Sequence, residues 1–193
     1  MNPIFQFPNY LLKRQALALT GKFRFYDPTG RLVLFSEQKM FKLREDIRVY
    51  SDESKMQEVL SIKARQILDF STAYDVIDTE MNQKVGVLRR KGWSSILRDE
   101  WEVLDANDNI IGKLFEDSIG LAMLRRLLLG SLLPQNYDIT FGDVRVADLK
   151  QRFNPFRYEL DVDFRMDTTG RLDRRLGIAA GILLATVEGK QSS

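Results

Sequence analysis

The sequence predicts one β-rich domain closed around an apolar helix near its C-terminus. Three observations carry this reading. A strand–turn–strand motif occurs three times between residues 23 and 116. Most of the chain from 10 to 164 consists of short alternating runs of apolar and polar residues split by turn signals, the pattern of an all-β barrel or sandwich. The segment 173–188 (DRRLGIAAGILLATVE) reads as a helix with no polar face, and such a helix must be buried on every side.

The repeated motif has a simple physical logic. Phe23-Arg24-Phe25-Tyr26-Asp27 precedes Pro28-Thr29-Gly30 and a second strand. Tyr74-Asp75-Val76-Ile77-Asp78 and Trp101-Glu102-Val103-Leu104-Asp105 are followed in the same way. In each, an aromatic and an apolar residue two positions on share one strand face, and the charged residue between them points the other way. The Asp ends the strand, because its carboxylate can bond the backbone of the turn. Further strands are expected at 11–19, 46–51, 58–66, 137–141, 144–150 and 157–164, with a short helical turn over 38–45. Residues 118–133 (SIGLAMLRRLLLGSLL) read as a second helix, ended by Pro134.

Asp173 is a good N-cap for the last helix. Its uncharged stretch, 176–187, falls short of the roughly 20 residues a membrane span requires, so it reads as a core helix. Gly177 and Gly181 form a small-xxx-small pair, which in a barrel lets strands approach closely. At 193 residues the chain suits a single domain, 1–193, with its core at about 11–188.

Composition narrows the chemistry. Hydrophobic residues make up 44% and charged residues 29%, with a formal net charge of +2. That charge is too mild to imply nucleic acid. Cysteine and histidine are both absent, which excludes disulfides, Cys/His zinc sites, palmitoylation, His-based triads and Cys nucleophiles. The first residues carry no signal-peptide pattern, so the expected location is cytoplasmic, with peripheral membrane association as one reading.

Four groups of charged residues are candidate sites, each with a plainer alternative. Arg89, Arg90 and Lys91 could bind phosphate oxygens, since the Arg fork matches phosphate geometry and Lys adds a mobile charge. Trp93 beside them suits a headgroup interface. The alternative is a solvated hairpin face with a core tryptophan. Arg125 and Arg126, inside the leucine-rich helix, suit an anionic surface or simply a helix capping the barrel. Glu159, Asp161 and Asp163 share one face of a strand and could hold a hard cation; they could equally pair with cations on a neighbouring strand. Arg174 and Arg175 sit in the first turn of the last helix, where cations oppose the helix dipole. Carboxylates such as Asp167 and Asp173, or an anionic ligand, are the candidates to offset them.

Repeated hairpins ending in a buried helix resemble the superfamily of the tubby C-terminal domain, the phospholipid scramblases and the LURP-one-related proteins. The residues that carry the likeness are FRFYDPTGRLVLF, YDVIDTEMNQKVGVL, WEVLDANDNIIGKL and the terminal YELDVDFRMDTTGRLDRRLGIAAGILLATVEG. The stretch KMFKLREDIRVYSDESKMQEVLSIKARQ is similar to the LURP-one-related branch in particular. The resemblance implies a closed antiparallel β-barrel of about twelve strands around a buried C-terminal helix, mainly β with α. It also implies a phosphoinositide site, since tubby domains bind these lipids at basic residues beside a strand. Arg90 and Lys91 fall where the family is basic, whereas Trp93 stands where tubby has a further basic residue. A scramblase-like calcium segment is not matched, because residues 153–157 (FNPFR) lack its acidic pattern.

Two functions follow as expectations. The first is a non-enzymatic module that binds anionic phospholipid or phosphoinositide headgroups through Arg89, Arg90, Lys91 and Trp93. The second is a soluble protein-interaction or regulatory domain with no lipid role. No cofactor, metal, nucleic acid or transmembrane span is expected, and no pair of carboxylates is placed by sequence for acid–base catalysis.

Overall fold

The computed structural model describes residues 2–15, 20–39, 46–65, 72–91, 100–116, 134–154 and 157–188. After a short 3-10 turn at Pro3–Phe5, twelve strands follow in order. They are β1 (Asn9–Gln15), β2 (Thr20–Tyr26), β3 (Leu32–Lys39), β4 (Asp46–Tyr50), β5 (Glu58–Ala64) and β6 (Ala73–Asp78), then β7 (Gln83–Arg90), β8 (Glu100–Leu104), β9 (Ile110–Glu116), β10 (Asn136–Phe141), β11 (Val144–Arg152) and β12 (Arg157–Asp163). Helix α1 (Arg174–Glu188) is the last of the described elements. Each strand pairs antiparallel with the next, and β12 returns to pair with β1, so the sheet is a closed barrel. Closure removes the exposed edges that an open sheet would leave.

The expected strands are present among the described residues, with ends shifted by a few residues; residues 16–19 and 66, which the expected strands 11–19 and 58–66 included, lie outside the described residues. The helical turn expected over 38–45 is corrected in part: residues 38 and 39 continue strand β3. The remainder of that segment, 40–45, and the helix expected at 118–133 lie outside the described residues.

The three hairpins legible in the sequence share a feature that the sequence did not show. Pairing shifts register between Phe25 and Tyr26, between Val76 and Ile77, and between Val103 and Leu104. This is the same point in all three copies. Two more hairpins shift at the equivalent place, between Val49 and Tyr50 and between Ile139 and Thr140. A register shift of this kind bends the strand and increases its twist, and curvature repeated around the sheet is what closes it. The Asp that ends each motif acts as expected. The Asp27 carboxylate accepts from the Thr29 and Arg31 backbone N–H groups at 2.9 and 3.0 Å. The Thr29 hydroxyl, above all, holds Asp27 below the usual carboxylate range. Asp105 accepts from the Asn107 and Asn109 N–H groups at 2.8 and 2.9 Å, and Asp78 from Met81 at 2.9 Å.

Strand alternation sorts the two faces. Phe23, Tyr74 and Trp101 are buried, while Arg24, Asp75 and Glu102 beside them are partly exposed. Around the inside wall, Leu12, Phe25, Val49, Ile62, Val76, Val103, Ile139, Leu149, Leu160 and Val162 join one apolar core. The helix fills its centre: every residue of α1 from Arg175 to Thr186 is buried. No described helix is long and apolar enough to cross a membrane.

The two ends of the helix are closed by charge. At its start, Asp173 accepts from the Arg175 backbone N–H at 3.0 Å. The Arg175 guanidinium donates to Asp173 and to the buried carboxylate of Asp78, both at 2.5 Å. Arg174 instead donates to the backbone carbonyls of Gln6 and Phe7. Thus Asp78, at the end of a hairpin motif remote in sequence, is the counter-charge that local reading did not find. Asp167 serves the chain before the helix, accepting from the Arg171 and Leu172 N–H groups. At the other end the buried Arg14 donates to the Ala185 carbonyl, where a cation matches the helix dipole.

The two helical glycines differ. A Cβ on Gly177 would lie 2.3 Å from Phe164 Cε1, whereas one on Gly181 would meet its nearest neighbour, Val162 Cγ2, at 3.4 Å. Gly177→Ala is expected to lower stability by about 1–3 kcal/mol through overpacking. Gly181→Ala is expected to raise it by about 0.5–1 kcal/mol, because alanine favours helix over glycine. Urea unfolding of both variants checks this, and equal stability would mean that Phe164 does not press on the helix.

Removing the cation from the helix start leaves two carboxylates facing each other, one of them buried. Arg175→Met is therefore expected to cost about 3–5 kcal/mol, the range for breaking a buried pair. A loss below about 1 kcal/mol in thermal or chemical unfolding, the range of an exposed pair, would show that the pair does not hold the helix in place.

Candidate functional site

Strand β7 ends at Arg90, and Lys91 follows it. Alternation along this strand puts Arg89 and Lys91 on the outer face and turns Arg90 the other way. The partner strand β8 decides the surroundings of each. Arg89 is paired across the strands with Glu102, and Arg90 with Trp101. The Arg90 guanidinium lies 6.0 Å from the centre of the Trp101 ring, within reach of a cation–π attraction. The structure therefore brings Arg89 and Lys91 together and separates Arg90 from them. Trp93 lies outside the described residues, as do Arg125 and Arg126.

Arg89 and Lys91 are not isolated charges. Arg89 Nη2 lies 2.6 Å from Glu102 Oε2. Lys91 Nζ lies 2.7 Å from Glu100 Oε1 and 3.9 Å from Glu102 Oε1. Lys113, on β9, reaches Glu100 at 3.7 Å. Glu100 holds the Lys91 ammonium above the usual lysine range. Among the described residues the group is thus three cations around two carboxylates on three neighbouring strands. Sequence reading found the cations of β7 and missed Lys113, Glu100 and Glu102. The signal was present in the alternation of Glu100-Trp101-Glu102-Val103, but only strand pairing assigns those carboxylates to those cations.

The aligned acids of β12 find cations rather than one another. Asp161 takes both guanidinium arms of Arg152 at 2.7 Å. Asp163 takes Arg165 at 2.5 Å, and Glu159 lies 4.0 Å from Lys13. Among the described residues no group of three or more acids is arranged to hold a metal ion. A groove of about 320 Å³ runs over this wall, lined in part by Asp148, Lys150, Arg152, Asp161, Asp163 and Arg165. Lys150 pairs with Asp148 at 2.8 Å, so its three cations are matched by three carboxylates.

A family model described as LURP-one-related matches residues 32–185. The chain belongs to the LURP-one-related family. The matched span runs from the start of β3 into the last turns of α1 and includes the β7–β9 charge cluster. Strands β1 and β2 precede the matched span, yet this LURP-one-related barrel closes through them, since β1 pairs with β12 and β2 with β3. No curated protein and no solved structure matches the chain significantly.

The Arg89–Glu102 pair is part-exposed, with Arg89 at 36% and Glu102 at 15% side-chain exposure. A double-mutant cycle with Arg89→Ala and Glu102→Ala is expected to give a coupling of about 0.5–1 kcal/mol that shrinks as salt rises. A coupling of zero at low salt would mean the cluster is not formed in solution.

Proposed function

We propose that this domain is a non-enzymatic binding module for anionic phospholipid or phosphoinositide headgroups at the cytoplasmic face of a membrane. The observation that carries the reading is the β7–β9 cluster, in which, among the described residues, Arg89, Lys91 and Lys113 outnumber Glu100 and Glu102 on the outer wall. A headgroup phosphate would take the place of Glu100 at Lys91 and Lys113 while Arg89 offers its fork. Arg90, set over Trp101, supports the strand end from behind. Trp93, close by in sequence, is assigned to the interface on the sequence reading alone.

One observation favours the second reading, a protein-interaction domain with no lipid role. Arg89 and Lys91 already have carboxylate partners within 2.7 Å, so any phosphate must compete with them.

Co-sedimentation with neutral and anionic vesicles separates the two. Each basic residue near an anionic leaflet contributes about 1 kcal/mol. Replacing Arg89, Lys91 and Lys113 together with Ala is therefore expected to weaken binding to anionic vesicles by roughly 3 kcal/mol, more than a hundredfold. Binding should also fall with salt, because exposed charges are screened over about 10 Å at 0.1 M. Equal sedimentation of the wild type with both vesicle types would remove the headgroup reading and leave the protein-interaction one.

A further inference from the structure

The barrel has two chemically different ends. Hairpins β2–β3, β4–β5, β6–β7, β8–β9 and β10–β11 all turn at the end where α1 begins, as the Asp78–Arg175 contact shows. The β7 terminus with Arg89 and Lys91 lies at the other end. At the hairpin end, four successive hairpin tips each carry one exposed large apolar side chain, in the turn itself or at the first residue of the strand that follows it. These are Met56, Met81, Ile110 and Val144, at 90%, 61%, 56% and 49% exposure. Elsewhere among the described residues only Phe153 is a comparable exposed hydrophobe.

The same four hairpin tips each carry a carboxylate with no cation in ion-pair range among the described residues: Asp52 and Asp105, which accept from their own turns, Glu80, which accepts from the Asn2 and Gln57 side-chain amides, and Asp143; these hydrogen bonds leave the negative charge in place. The cations on these turns are engaged, Lys55 with Glu37 at 2.8 Å and Arg145 with Asp138 at 3.3 Å; Arg171, from the segment before α1, lies over the Phe141 ring beside the last turn, so four such carboxylates face one such cation. Adjacent hairpins lie two strands apart, or about 10 Å along the rim, so four tips span an arc of roughly 30 Å. An arc that alternates apolar tips with uncompensated negative charge is complementary to a surface that alternates apolar residues with lysine or arginine. A bilayer fits it poorly, because an anionic leaflet would repel these carboxylates and hydrocarbon would strip them of water.

We infer that the hairpin-tip rim formed by Met56, Met81, Ile110 and Val144 is a docking surface for a partner protein whose contact face is basic and apolar. The inference is independent of the headgroup reading, which concerns the opposite end.

The test is an NMR titration of the whole chain, labelled at Met, Ile and Val methyls. The probe is an amphipathic peptide of leucine and lysine; the controls are its leucine–glutamate counterpart and phosphatidylglycerol vesicles. The rim methyls are expected to shift saturably with the lysine peptide, while the core methyls of Ile178 and Ile182 stay in place. The variant D52N/E80Q/D143N is expected to bind roughly tenfold more weakly with the core spectrum unchanged, and so is M56S/M81S. Salt raised from about 0.05 to about 0.5 M should weaken binding as well. Absence of saturable rim shifts, equal response to the glutamate peptide, or shifts confined to other methyls would overturn the inference. A stronger rim response to the vesicles than to the lysine peptide would overturn it in favour of a bilayer.

Discussion

Helix α1 has no polar side, and the rest of the molecule is organised around that constraint. A helix of this kind gains by burial on every face at once, which a single flat sheet or one neighbouring helix cannot provide. A closed antiparallel sheet provides it and satisfies its own backbone at the same time. The register shifts repeated in five hairpins supply the curvature needed for closure. The enclosed helix then has two ends that meet the rims of the barrel, where backbone dipoles and charged residues must be matched. Asp78 and Asp173 do this at the start through Arg175, and Arg14 does it at the end.

Enclosure also explains the exterior. With alternate residues of every strand committed to the core, the other half carries almost all of the charge, and neighbouring strands set those charges side by side. Cations of one strand thus meet carboxylates of the next along much of the wall, as in Arg152–Asp161, Arg48–Glu58 and Lys84–Asp75. Each such exposed pair contributes little to stability. Their collective effect is on recognition, since a paired wall offers little net field. The two proposed contacts fall where pairing among the described residues is incomplete: the β7–β9 cluster, with three cations to two carboxylates, and the hairpin rim, with carboxylates that meet no cation.

Those two regions lie at opposite ends of the barrel. A domain built this way would hold an anionic headgroup at one end and a basic protein at the other, without either contact disturbing the enclosed helix. The LURP-one-related match covers the strands that carry both regions, from β3 onward. Strands β1 and β2 lie before it and complete the wall around the helix, with Leu12, Phe23 and Phe25 fully buried in the core they share with it.

Periodicity alone determined much of this protein. Alternation two residues apart marks which side chains of Phe23-Arg24-Phe25 or Tyr74-Asp75-Val76 turn inward, and an apolar segment with no polar stripe marks α1 as enclosed. These are local properties, set by backbone geometry within a few residues. What lay beyond the sequence is every relation between distant segments. Arg89 and Lys91 read as free cations until pairing sets Glu102 and Glu100 beside them, and Glu159 and Asp161 read equally as part of a cation site or as partners of a neighbouring strand until Lys13 and Arg152 meet them. Gly177 and Gly181 look equivalent until the Phe164 ring crowds one of them. Asp78 reads as one more turn residue until closure carries it to Arg175. The physical reason is the same throughout: a strand's own residues decide which face each side chain takes, but its charge and packing environment belongs to the neighbouring strand, and only the closed sheet chooses the neighbours.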